Sequence, residues 1–200
     1  MYVPGRTATE GTDPVKKKLA AALSGGAAIA LTLTGCSGDN SAQADEWAKK
    51  VCDQVQPQVK KIQEANASIN DASKEKNSSA DVKKTDAAAF EKISGAYKSL
   101  GDAVDKAGPP PVDDGEKLHT DAVKELRGIS TKYGQLRKTV DGLNTKDQAK
   151  FAEGLQGVAT QLDALGKSGD KALNKLQSGD IGKAMANQKG CKRTGGAPAT

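Results

Sequence analysis

The sequence predicts an all-α protein, an antiparallel bundle of four to five amphipathic helices, and three observations carry that expectation. Apolar residues recur at steps of three and four in several separate segments, the spacing that lines one face of a helix. No stretch alternates apolar and polar residues with β-branched enrichment, so a sheet has no candidate strand. Prolines and glycines, above all Gly108-Pro109-Pro110-Pro111, divide the periodic segments into lengths that fold back as neighbours rather than extend as one coiled coil.

The chain opens with a leader. Lys16, Lys17 and Lys18 precede an uncharged run over residues 19–33, rich in Ala and Leu, which ends in Leu33-Thr34-Gly35-Cys36. A basic start, an apolar centre and small residues at the boundary are the parts of a signal peptide. The run of about 15 residues is shorter than the roughly 20 that cross a bilayer as a permanent helix, so residues 1–35 are expected to be removed.

That boundary resembles the lipobox of bacterial lipoproteins, in which a Leu, a small residue, Gly and Cys mark where lipid is attached and the leader cut. The resemblance covers Leu33, Thr34, Gly35 and Cys36. It implies a diacylglyceryl thioether on the Cys36 thiol and an acylated amino group, and two chains suffice for stable anchoring. From the residues alone, Cys36 also suits an ordinary secretory leader cut slightly later, with its thiol free or paired. Residues 1–14 are polar and carry Glu10 and Asp13, unlike a basic leader start. They fit translation that truly begins at Val15; N-terminal sequencing of an uncleavable Cys36→Ala precursor that starts at Met1 would contradict this.

Charge and cysteine usage agree with export. The formal charge is +5 at pH 7. Arg6, Lys16, Lys17 and Lys18 against Glu10 and Asp13 in residues 1–35 leave +3 on the mature chain. Bases and acids are interleaved throughout, the pattern of a solvated surface rather than a phosphate-tracking stripe, so nucleic acid is not an expected partner. Of the three cysteines, Cys36 is assigned to lipid, and Cys52 and Cys191 remain as an even pair in an oxidising compartment, where a disulfide is expected. Free thiols or metal ligation are the alternatives, but one histidine and no Cys-x-x-Cys are poor material for a four-ligand zinc site.

After the lipobox, residues 36–44 are small and polar and are expected to form a flexible tether, followed by the bundle over residues 45–193 and a disordered tail at 194–200. Trp47, Val51, Val55, Val59, Ile62 and Ile69 define a first helix at about 45–71, with Pro57 expected to kink or break it. The polar stretch 73–84 reads as an exposed connection. Phe90, Ile93, Tyr97, Leu100 and Val104 define a second helix, stopped at Gly108 and the three prolines.

Asp113 or Asp114 is expected to cap a third helix carrying Leu118, Ala122, Leu126, Ile129, Tyr133, Leu136, Val140 and Leu143 in heptad spacing. Gly142 is placed to end it, and Thr145-Lys146-Asp147-Gln148 matches a capping box for a fourth. That fourth helix carries Phe151, Leu155, Val158, Leu162 and Leu165. Beyond Gly166 to Gly169, the weaker set Leu173, Leu176, Ile181 and Met185 suggests a short fifth helix. Gly95, Gly101, Gly128, Gly134, Gly154 and Gly157 fall inside helices but off the apolar seam, which compositional bias explains more simply than close helix approach.

The sequence pattern carries no catalytic motif. His119 is the sole histidine and is expected to be an exposed helix residue; Gly-x-Ser-x-Gly, phosphate-loop and dinucleotide fingerprints are lacking. The acidic pairs Asp45-Glu46 and Asp113-Asp114 sit at helix starts, where the helix dipole favours negative charge, and no EF-hand spacing occurs. No cofactor or metal is expected. The basic end Lys189-Gly190-Cys191-Lys192-Arg193 suits a solubilising tail, with lipid headgroup contact as the alternative.

The mature chain is similar in pattern to the small secreted or membrane-anchored lipoproteins of actinobacteria, with a lipobox, a cysteine in the opening helix and a late cysteine. That resemblance implies an address on the outer face of the cell membrane and a helical fold, and no substrate. The function expected is a lipid-anchored, non-enzymatic module that contacts a protein partner in the envelope; the alternative is a carrier holding a small hydrophobic or lipid ligand between helices. A hydrolase built on the capping carboxylates is a third, minor possibility.

Overall fold

A computed structural model describes residues 40–74 and 76–192. The leader, Leu33 to Cys36 and residues 194–200 lie outside the described residues, as does the side chain of Leu173. Five helices follow one another: α1 Asn40–Lys74, α2 Ser79–Ala107, α3 Gly115–Asp141, α4 Gln148–Leu176 and α5 Gly179–Asn187, closed by a 3-10 turn Lys189–Cys191. No strand occurs among the described residues. Each long helix lies beside its predecessor, and α5 with the final turn returns to α1.

The helices alternate in direction. Along α2 and α3, contacts run Lys83 to Leu143, Glu91 to Arg137, Ser94 to Ser130 and Asp105 to Arg127, one number rising as the other falls. Two apolar clusters fill the bundle. One joins Trp47, Val51, Val104, Leu126, Leu176, Ile181 and Met185 at the end where α1 begins. The other joins Ala65, Phe90, Ile93, Leu136, Val140, Val158 and Leu165 toward the α1–α2 connection.

The first helix is longer than its large apolar residues mark out. Its inward stripe is Ala44, Ala48, Val51, Val55, Gln58, Ile62, Ala65, Ile69 and Ala72, buried or half-buried at steps of four and three throughout. Four alanines and a glutamine occupy positions where a search for large apolar residues sees nothing. The helix begins at Asn40, so residues 40–44 of the expected tether are helical and Ala44 is 3 % exposed.

Pro57 does not break α1. The proline removes one hydrogen bond, to the carbonyl of Asp53, and both residues are exposed where water can serve that carbonyl. Packing of the surrounding stripe offsets the loss, since helices in proteins are held mainly by their buried face.

Other boundaries move for local reasons. α2 starts inside the stretch expected to be a connection: the Ser78 hydroxyl accepts from the Asp81 amide at 3.2 Å and caps it, and the helix needs few apolar residues there because its outer face is solvated. Asp114 precedes α3 in a left-handed conformation, φ 58°, with no side-chain cap, so the expected Asp113 or Asp114 cap is absent. At α4 the capping residue is Asp147, whose Oδ1 accepts from the amides of Ala149 and Lys150 at 3.1 Å, rather than Thr145. α4 continues through Gly166 and Gly169, so Leu176 belongs to it; the break falls at Gln177 and Ser178, before Gly179, φ 62°, opens α5.

The glycine reading divides. A Cβ on Gly154 would lie 2.3 Å from Leu143 Cδ2, and one on Gly101 would lie 3.2 Å from Arg127 Cγ, so these two admit close neighbours. Gly95, Gly128 and Gly157 face open space, as compositional bias predicts.

Candidate functional site

The chemistry-bearing residues gather in three places along the bundle. At the end where α1 begins, Cys52 and Cys191 form a disulfide with Cα atoms 5.0 Å apart across 139 residues of sequence. Cys52 is completely buried. The final turn lies so close to α1 that a Cβ on Gly190 would fall 2.2 Å from the Cys52 carbonyl oxygen, which makes glycine a steric requirement of the bridge. Gln188 Nε2 donates to the Asp45 carbonyl at 3.5 Å beside it. Trp47, 4 % exposed, donates through Nε1 to the Gly108 carbonyl at 2.7 Å, tying α1 to the turn after α2.

The second place is a polar seam between α2 and α3. Arg127 reaches Asp102 at 3.1 Å and Asp105 at 2.9 Å, and Lys98 donates to Asp102 at 2.6 Å. Hydrogen bonds from Lys98 and Arg127 hold the Asp102 carboxyl below the usual carboxylate range. The same two carboxylates raise the Arg127 guanidinium. His119 stands at the edge of this seam, its side chain 16 % exposed and Nε2 4.0 Å from Asp105 Oδ1, with no hydrogen-bond partner for that buried nitrogen. The expectation of an exposed histidine is corrected: α3 turns position 119 toward the end of α2.

The third place is the core. Asp86 on α2 is 6 % exposed, its Oδ1 has no hydrogen-bond partner, and burial pushes its carboxyl up to about 6. It continues the stripe Phe90, Ile93, Tyr97, Leu100 and Val104 one step earlier, a position whose burial only the heptad count could have suggested. Nearby aromatics close the core: Tyr97 stacks on Tyr133 at 5.7 Å and 9°, and Phe90 meets Tyr133 at 6.0 Å. Burial, with the Tyr97 charge second, pushes the Tyr133 hydroxyl up to about 12.

None of these places assembles a nucleophile with a base. Among the described residues, no three of His, Cys, Asp and Glu converge to hold a metal ion. Asp45, Glu46, Asp113 and Asp114 are exposed; Asp113 and Asp114 directly precede α3, whereas α1 begins at Asn40, so Asp45 and Glu46 lie in its second turn and not at its start as expected. A shallow open groove of about 380 Å³ runs between α1 and α2 past Ala65, Ser68, Lys84, Ala88 and Lys92.

Fold and site together define a class, an antiparallel helical bundle closed end to beginning by a disulfide. The chain matches no protein-family model, and no curated protein or solved structure is significantly similar to it.

Proposed function

We propose that the mature protein is a lipid-anchored, non-enzymatic envelope protein whose helical bundle engages a protein partner outside the cytoplasmic membrane. The observation that carries this reading is Leu33-Thr34-Gly35-Cys36, placed after a lysine-led apolar run and only four positions before the first helix residue, Asn40. No described helix is long and apolar enough to cross a membrane, so in this reading the hold on the bilayer comes from lipid on Cys36. The Cys52–Cys191 bond fits an oxidising location. The charged clusters fit structural work: Arg127 bridges two acids between helices, and Asp81 and Asp147 serve helix starts.

The reading is tested by expressing the full chain in a bacterial host supplied with an alkyne-bearing fatty acid, followed by mass spectrometry of the N-terminal peptide. A lipid-modified peptide starting at Cys36, lost in Cys36→Ala together with membrane retention, is the expected result. An unmodified N-terminus, or label that persists in Cys36→Ala, overturns the anchor. Cross-linking in living cells then tests the partner; recovery of a bare monomer carrying a bound hydrophobic molecule would favour the carrier instead.

A further inference from the structure

We infer that the bundle stands end-on at a phospholipid surface, with the start of α1, α5 and the final turn facing the bilayer and the α1–α2 and α3–α4 connections pointing away. This inference rests on lipid attachment at Cys36. Only Ser37, Gly38 and Asp39 separate that residue from α1, and three residues span at most about 11 Å even when fully extended. The helix is engaged in the bundle from Ala44 and Trp47, 3 % and 4 % exposed, so only the exposed first turn, Asn40 to Gln43, about 6 Å of helix, adds to the reach.

Everything that closes this end is fixed to α1. The Cys52–Cys191 bond and the Gln188 contact to Asp45 hold α5 and the final turn beside its beginning. From there the 35 residues of α1 rise about 52 Å, which carries the α1–α2 connection far from an anchored end.

The long sides offer little reason to lie down. The apolar stripes are turned inward, and outer positions carry opposed charges in neighbouring pairs such as Lys49 with Asp53, Lys98 with Asp102 and Lys117 with Asp121. At the bilayer end itself the exposed Lys50, Lys189 and Lys192 are opposed by Asp45 and Glu46 on α1 and by Asp113 and Asp114 just beyond Gly108, the residue that Trp47 holds at this end. Tether length, not headgroup charge, therefore sets the orientation, and zwitterionic and anionic vesicles give the same result. The surface left for a protein partner is the far end, with the groove beside Ala65 and Ala88 on its flank.

Trp47 is the sole tryptophan and serves as a built-in donor. The lipidated full-length product is reconstituted in phosphatidylcholine vesicles containing a dansyl-headgroup lipid, and flotation is measured first. Energy transfer from Trp47, about 11 Å along α1 from Asn40, should be strong. In Trp47→Phe with Asn70→Trp, the donor moves about 35 Å further from the anchored end, and transfer should fall several-fold. Asn70→Trp with Trp47 retained guards against misfolding of the first variant; its averaged transfer should drop to about half. Equal transfer from positions 47 and 70 in floating protein refutes the end-on orientation while leaving the anchor intact. Protein that fails to float refutes the anchor, and the orientation with it.

Discussion

Asp86 offers the sharpest test of the packing described here. Its carboxyl is 6 % exposed with one oxygen unpartnered, and burial raises it from 3.8 to about 6. A carboxyl whose folded value lies above its unfolded value binds more protons in the native state. The stability associated with its neutral form is therefore complete below pH 3.8 and is lost as pH rises through about 6. A shift of about two units corresponds to about 3 kcal/mol at neutral pH, as an upper bound. Asp86→Asn keeps the shape and removes the ionisation, so at pH 7.5 it should stabilise the bundle by about 1–3 kcal/mol, raising Tm by several degrees. At pH 4 the difference from wild type should nearly vanish. Urea unfolding followed by far-UV circular dichroism, repeated for both proteins from pH 4 to 8, measures that difference directly. A gap between the two that does not change with pH, or an Asp86→Asn protein less stable at pH 7.5, would show that the carboxylate is solvated and the core assignment wrong.

Other consequences follow from the ends of the bundle. Replacing both Cys52 and Cys191 by Ser should cost about 5 kcal/mol through the freed entropy of a chain otherwise closed over 139 residues, read as a fall in the urea midpoint. Gly190→Ala should block formation of the same bond, because its Cβ would meet the Cys52 carbonyl oxygen; thiol titration of the denatured, unreduced domain from Ser37 onward should then find two reactive groups where wild type shows none. Asp147→Ala removes the acceptor for two amides at the start of α4 and should cost about 1 kcal/mol, with faster hydrogen exchange at Ala149 and Lys150.

The recurrence of Phe90, Ile93, Tyr97, Leu100 and Val104, and of the residues from Leu118 to Val140, was enough to establish helices and their inward faces, because a periodic stripe of large apolar groups has one low-energy use in water. Once Cys36 is set aside for lipid, the cysteine count leaves Cys52 and Cys191 as the pair, and these are the two that the structure joins. What only the tertiary structure decided depends on neighbours remote in sequence. Ala44, Ala48, Ala65 and Ala72 become core because α1 has partners close enough to use small side chains, and Gln58 and Asp86 are buried because adjoining helices cover them. Likewise, Gly190 is required only because the last turn meets α1, and His119 faces Asp105 only because α3 runs back along α2. Periodicity is written in a helix's own residues, whereas burial and close approach belong to two chain segments at once, and one segment's sequence carries no record of the other.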